Sequence, residues 1–530
     1  MIEIKNPYSR NRISTKEKID KKITNFIVPY IKKIPFNENG RVKSKYIPRV
    51  LESAGISIRG WEREKISTSE IPQDIDIDLI SLYVAEYIPI ENVDKLKRGL
   101  KKMVKNFPYP LQYGQDEQID KFCNDVKKSI HGGRWSNFGF IDFTKEENIS
   151  DFVKHIHIQG THLTSSSIIL QFVITPSEKF TSEYKKLIEA DIKVEPSFDF
   201  RFKKLLKFWG GKSLAEDIVK NQKLEDLILE LKWRTMKEIG KFLPMYFTDS
   251  KLIPPSIEIY KLCQNYCIFE NYGNMKRSTF WDSIGMDTFF CDISKDGYWQ
   301  MFREGRKPHL IDNSIKVTCN SIIKRESMYH SLDFQITHMI EEFASILLPI
   351  MVMREYAVDI SEKIAIQQTI TFSSIKKKKP NYQKLINIRY DLEKSLQILK
   401  RFKSEIKDDY FNKAKSELKK AVELEPAKPG TINRIAIETI VDQTKYIIDK
   451  TYDYSQHCAK MIDDTVQLLE IKTNNFLRSR TFGLAIITFV LSLAATIFAG
   501  FSLFYQLSNN NQDKIISMFS PIIKIWQYLF

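Results

Sequence analysis

The chain has 530 residues, 43% hydrophobic and 28% charged, with a formal net charge of +15. These values exclude a disordered chain and a polytopic carrier, and leave a globular protein with room for one membrane segment. Its six cysteines are scattered, which excludes a disulfide framework and suits reduced thiols.

In chain order, residues 1–135 read as a basic N-terminal helical region. The first 60 residues hold 14 Lys/Arg against 5 Asp/Glu. Such an arm suits an anionic nucleotide, nucleic acid or lipid headgroups, or simply a solvated surface. The opening residues, Met1 to Asn6, lack the apolar core of a signal peptide. Ile19, Ile23, Phe26 and Tyr30 predict an amphipathic helix over 16–34, bent or ended by Pro29. Residues 41–135 read as short helices and loops.

Residues 136–375 read as an α/β domain. Strand signals cover 138–143, 155–158, 168–174 and roughly 286–303. Helical signals cover 213–243 and 314–358, the latter with Pro349 near its end. Lys376 to Pro380 marks a boundary. A helix over Tyr382–Glu425 follows, then the Pro426–Gly430 turn. From Thr431 to Asn511 there is no proline, and glycine occurs only at 483 and 500. One continuous helix is expected, with 381–480 forming a helical hairpin and stalk.

Phe482 to Tyr505 carries no charge. Its 24 residues make about 36 Å of helix, enough for a hydrocarbon core of about 30 Å. Residues 481–507 are therefore expected to be a first transmembrane helix. Lys472, Arg478 and Arg480 precede it, and the connection Ser508–Gln512 is uncharged. The positive-inside rule then puts the large N-terminal part in the cytosol, at the inner (plasma) membrane. Residues 514–530 form a second, short apolar helix that either spans the membrane or lies in its interface. The expected fold class is thus an α+β cytosolic domain followed by a helical hairpin, a long stalk helix continuous with a transmembrane helix, and a short C-terminal membrane helix.

The stalk repeats every seven residues. Ile440, Ile447, Tyr454, Met461 and Leu468 form one row, and Val441, Ile448, Ser455, Ile462, Leu469 and Phe476 a second. Ile437, Thr444, Thr451, Cys458, Thr465 and Lys472 form a third row between them, mostly of small side chains. The repeat predicts helix-on-helix packing, either between subunits of a homo-oligomer or on the chain's own hairpin. Between subunits, Thr444, Thr451 and Thr465 would line the stalk axis.

This layout resembles the CorA metal-ion transporter superfamily over residues 381–530. That family is defined by a Gly-Met-Asn-type motif after the first membrane helix. Here the loop reads Ser508-Asn-Asn-Asn-Gln-Asp513, in which Asn509, Asn510 and Asn511 offer carbonyl oxygens for a hydrated divalent cation. An enlarged basic cytosolic domain without the transporter motif is similar to a divergent CorA-like branch, the effectors of type III CRISPR antiviral systems. The resemblance implies a nucleotide second messenger such as an adenosylmethionine–AMP conjugate, and an altered membrane permeability as output. A plain CorA-type cation transporter is the alternative it leaves open.

Several short constellations remain. His131-Gly-Gly-Arg134-Trp135 supplies a guanidinium and an aromatic plane for a phosphate and a base. Arg303, Arg306 and Lys307, with His309, form a second basic loop; both loops are candidate contacts for an anionic nucleotide, with ordinary turns and surface charge as the other reading. Gly210-Gly-Lys-Ser213 lacks the first glycine of a phosphate loop, and Ser213 with Glu216 reads equally as a capping box. Arg325 and His330 match the Arg-x4-His spacing of HEPN ribonucleases, giving a membrane-anchored nuclease as a second alternative. Otherwise no catalytic residue is expected. His155, His157 and nearby His162 form either a metal pair on a strand or a polar strand face. Cys263 and Cys267 lack a second ligand pair, so no metal site is expected. Nucleic acid is not the expected partner; the bilayer and further copies of the chain are.

Overall fold

The computed structural model describes residues 3–7, 71–73, 75–107, 115–128, 134–146, 149–192, 197–199, 210–212, 216–263, 280–286, 291–303, 313–321, 331–376, 382–406, 408–422, 424–426 and 436–506, with 516–517, 520–521, 524 and 527. They divide into two compact units. The first is Met1–Glu362 with Lys394–Tyr454, and the second is Lys363–Glu393 with Ser455–Phe530.

The first unit opens on strand β1 (Asp76–Pro89), inside the stretch expected to be helix and loop. This region is therefore not wholly helical. Its run Leu-Ile-Ser-Leu-Tyr-Val-Ala is apolar without a 3.6-residue period, the pattern of a strand covered on both faces. Helices α1 (Val93–Asn106) and α2 (Gln115–Lys128) follow. Next come β2 (Arg134–Asp142), β3 (Val153–Thr164), β4 (Ser167–Pro176) and α3 (Glu178–Glu189). The Ser177 hydroxyl caps α3 by accepting from Phe180 N at 3.1 Å.

A small ribbon, β5 (Ser197–Asp199) paired with β6 (Gly210–Lys212), precedes α4 (Glu216–Ile239). Gly210-Gly-Lys is thus strand and does not open a helix, so the phosphate-loop reading fails here. The short α5 (Tyr246–Asp249) leads into β7 (Ser256–Cys263), β8 (Cys291–Ser294), β9 (Trp299–Arg303) and β10 (Ser314–Asn320). Strand β10 replaces the start of the helix expected from 314. Its Ile315, Val317 and Cys319 alternate inward, which is strand period.

Among the described residues the helical part begins at α6 (Leu332–Met339) and continues as α7 (Glu341–Lys376). Pro349 lies within α7, which runs past the expected end at Val358 to Lys376. The expected helix 382–425 is two helices, α8 (Tyr382–Glu405) and α9 (Asp408–Val422), ending in strand β11 (Leu424–Pro426). β11 pairs with β8, so the hairpin returns a strand to the sheet. The order is β11-β8-β9-β10-β7-β1-β4-β3-β2. Only β7 and β10 pair in parallel; every other neighbouring pair is antiparallel.

The two faces of the sheet differ. One carries Leu82, Val84, Ile156, Ile158, Leu170 and Phe172, buried in one apolar cluster with α1 to α4. Each such side chain contributes about 1.5–3 kcal/mol when removed from water. Packing there is close: a Cβ at Gly99 would stand 2.2 Å from the Phe242 carbonyl oxygen. The N-terminal residues join this layer, because Lys5 N and Asn6 N each donate to Glu230 Oε2 of α4 at 2.7 Å. The opposite face is polar-rich, with Ser81, Tyr83, His157, Gln159 and Gln171, and it lies against α6 and α7. Tyr83 Oη donates to Thr337 O at 2.7 Å, and Ser81 and Thr337 hydroxyls are 3.1 Å apart.

The last described long helix is α10 (Ala436–Gln506), 71 residues, or about 107 Å. In the first unit Ile437, Val441, Thr444, Ile448 and Thr451 are buried, and in the second Ser455, Cys458, Ile462, Thr465 and Leu469. Steps of four and three residues mark a seam of coiled-coil type. The seam faces this chain's own helices. Lys415 pairs with Asp442 at 2.5 Å and Lys403 with Asp449 at 3.1 Å in the first unit; Arg389 pairs with Asp463 at 3.1 Å in the second. Thr444, Thr451 and Thr465, the expected stalk-axis residues, are buried within the chain. Thr444 and Thr465 donate to the carbonyls of Ile440 and Met461, which lets a hydroxyl sit in a buried seam.

Beyond Leu469 no residue up to Ser502 is buried. This helix has an 18-residue window of mean hydropathy 2.3, none of it covered. By length and composition it can cross a membrane. Thr488 and Thr496 donate to the carbonyls of Leu484 and Ser492 at 2.8 Å, so their hydroxyls need no water. The bent pair α6–α7 is also apolar enough. However, Leu347, Leu348, Met351 and Val352 are fully buried, which marks α7 as a core helix of the first unit.

Candidate functional site

Trp135 stands at the start of β2, on the free edge of the sheet. Its indole is 54% exposed, an uncommon state for the residue with the largest apolar surface. Two depressions meet at it. One, of about 750 Å³, runs between β3 and α6–α7 and is lined by Trp135, Thr161, His338, Glu341, Glu342 and Glu417, among others. The other, of about 440 Å³, lies toward α2 and includes Lys121, Asp125 and Asn137.

A chain of side-chain hydrogen bonds runs beneath the first. Asn137 Oδ1 accepts from Gly139 N at 2.7 Å, which fixes the amide orientation. His157 Nε2 stands 2.8 Å from that same oxygen and therefore carries the proton. Gln159 Nε2 approaches His157 Nδ1 at 3.4 Å and donates to Glu341. Glu341 also accepts from His338 Nδ1 at 2.6 Å. These residues come together because Asn137, His157 and Gln159 belong to one polar face of β2 and β3, and α7 begins over it.

His157 also stacks on Phe140, with centroids 4.3 Å apart. Burial, followed by the nearby His338, pushes its pKa down to about 4. The folded protein thus holds a neutral imidazole, whereas an unfolded chain protonates it below about 6.5. Between these values the unfolded state binds more protons, so stability falls as pH falls. A depression of this size corresponds to about 3 kcal/mol. Denaturation midpoints measured from pH 7 to pH 4 should drop accordingly, and His157→Gln should flatten the profile. Some slope should persist from His155, which burial also depresses. An identical profile in the variant would show that His157 is not the titrating group.

The expected contact residues separate. Arg134 pairs with His162 and Trp135 with Thr161, so the two positions alternate across the strand and do not share a face. Arg303, at the end of β9, lies six strand positions from β2, about 29 Å at about 4.8 Å per strand. It cannot complete a site with Trp135. Arg306, Lys307, His309 and His131 lie outside the described residues, as do Arg325, His330, Ser213, Cys267, the helix over 16–34 and Asn509, Asn510 and Asn511.

His155 and His157 share a strand face, but His162 has the opposite parity. His155 Nε2 is 3.0 Å from Thr175 Oγ1. No group of three His, Cys, Asp or Glu among the described residues is arranged to hold a metal. The polar-face reading of this strand therefore fits, and the arrangement suits binding and orientation of a ligand. Sequence reasoning missed Gln159, His338, Glu341 and Glu342. Gln159 was legible as a continuation of the alternation His155, His157; the glutamates were not, because their helix was expected to start elsewhere.

No protein-family model matches the chain, and no curated protein or solved structure matches it. The fold itself shows an α+β sheet unit, helices that follow it, and one helix long and apolar enough to cross a membrane.

Proposed function

We propose that this protein is a homo-oligomeric CorA-like membrane effector or channel. Its sheet unit faces the cytosol, senses a ligand in the depression beside Trp135, and alters the permeability of the inner membrane. The observation that supports this most is α10. One uninterrupted helix supplies a buried seam in the sensing unit and then an uncharged, uncovered stretch of bilayer length. The second support is α7, which begins at the depression with Glu341 and continues as one helix into the second unit. A ligand shifts such a device only through different affinities for two states. The exposed Leu468, Ile471, Phe476 and Leu477, which precede the apolar segment, are the surface on which neighbouring copies would pack. The resemblance to effectors of type III CRISPR systems makes an adenosylmethionine–AMP conjugate the first ligand to try.

Thermal melting of the detergent-solubilised protein against a nucleotide panel tests the sensing half. One member should raise the midpoint by several degrees, the size expected for about 1–2 kcal/mol of linkage. Trp135→Ala should abolish the rise. No shift with any nucleotide, together with magnesium-dependent flux, would identify a divalent-cation transporter instead.

A further inference from the structure

The smaller depression beside Trp135, of about 440 Å³, is in the size range of small-ligand clefts. α2 contributes Gln118, Lys121 and Phe122, and β2 contributes Trp135, Ser136 and Asn137. Phe122 is buried edge-on against Phe138, with centroids 5.2 Å apart, and gives the depression an apolar wall. The polar groups around it are not used up within the fold. The Asn137 amide is oriented by two donors on its Oδ1, Gly139 N at 2.7 Å and His157 Nε2 at 2.8 Å. Its Nδ2 is thereby left as a donor, and it meets no acceptor among the described residues. Exposed Lys121 has no ion-pair partner among the described residues. Of the described residues that line the two depressions, it is the one lysine or arginine. Asp125, which also lines the smaller one, already has a partner.

Each feature calls for a different part of one ligand. The exposed Trp135 indole, shared by both depressions, stacks a flat heteroaromatic ring, and every nucleobase has a π-face to offer. An amide donor beside that ring reads a ring nitrogen or a carbonyl oxygen at the base edge. An ammonium group takes a phosphate oxygen. Glu341 and Glu342 line the larger depression, so the phosphate lies on the Lys121 side of the indole.

We propose that the smaller depression binds a nucleoside monophosphate unit. Its base stacks on Trp135 and accepts a hydrogen bond from Asn137 Nδ2, and its phosphate pairs with Lys121. The assignment rests on the reading of Trp135 as a wall of the sensing site, and it states which part of the nucleotide each side chain recognises. It also links the ligand to α7. The amide that reads the base opens the hydrogen-bond chain through His157 and Gln159 to Glu341.

AMP is a small probe that carries both parts. Titration calorimetry on the full-length protein in detergent should show saturable binding of AMP. Trp135→Ala should weaken it roughly ten-fold, the size of one base–aromatic stack. Asn137→Asp keeps an oxygen for Gly139 N and His157 but removes the donor, and should also weaken it roughly ten-fold. Lys121→Gln should weaken AMP roughly five-fold and leave adenosine unchanged. Lys105→Gln, which removes the same charge from α1 outside the lining of the depression, should leave AMP unchanged. Ribose 5-phosphate, which lacks the base, should give no saturable heat.

No saturable heat with AMP, or AMP binding indifferent to Asn137→Asp and Lys121→Gln, would overturn the proposal. Nucleotide-driven dye release that persists in that case keeps the sensing reading and moves its contacts elsewhere. AMP binding that follows the expected pattern, with vesicles that stay sealed to every nucleotide, supports the site and removes the sensing reading instead.

Discussion

Leu491→Arg combined with Leu493→Arg is expected to remove the protein from the membrane fraction. The segment Phe482–Tyr505 contains thirteen Leu, Ile, Val and Phe residues. At about −0.3 to −0.6 kcal/mol each, they supply on the order of −4 to −8 kcal/mol for insertion. Two arginines near the centre cost about 5–7 kcal/mol together, which cancels most of that. Among the described residues none covers this stretch: Leu491 is 64% and Leu493 52% exposed. The substitutions therefore act on insertion and not on packing of the sheet unit. After carbonate washing, wild-type protein should sediment with membranes and the double variant should not. Asn475→Arg, ahead of the apolar segment, should behave as wild type. Equal retention of the double variant would mean that α10 is not a membrane span.

The second large effect belongs to Arg354. Its side chain is 2% exposed, inside α7, and its Nη2 lies 3.1 Å from Glu355 Oε1. Burial raises the Glu355 carboxyl pKa, and the arginine acts in the opposite direction. Arg354→Leu removes the cation and leaves a buried carboxyl without this partner. Breaking a buried pair in this way costs about 3–5 kcal/mol, a large share of the roughly 5–15 kcal/mol that holds a domain folded. The variant should melt well below wild type. Arg354→Leu with Glu355→Gln should recover part of the loss, because the carboxylate that lost this partner is then neutral. An unchanged melting temperature for the single variant would show that the pair is not structural.

The sequence was most legible where the pattern was long. Phe482–Tyr505 and the seven-residue rows of the stalk require only composition and period, and both correspond to features of α10. The partner of the stalk was not legible. A row of Thr444, Thr451 and Thr465 looks the same whether it meets another subunit or α8 and α9 of its own chain. Strand β1 was missed because a strand buried on both faces loses its two-residue alternation. β10 was missed for a different reason: seven residues with only three apolar positions, Ile315, Val317 and Cys319, merge with the helical pattern that follows. Of the site, Trp135 was singled out from its neighbours in sequence. Its true neighbours, Thr161, Glu341 and Glu342, come from β3 and α7 and meet it only through the sheet register.

Dye release from liposomes is the most direct test of the claim that a cytosolic sensing unit acts on the bilayer through α10. Full-length protein reconstituted into anionic vesicles should stay sealed alone and release a small dye when its nucleotide ligand is added to the outside. Trp135→Ala should stay sealed at the same ligand concentration. Vesicles that remain sealed although calorimetry shows the ligand bound at this site would contradict the account, as would equal leakage with and without ligand.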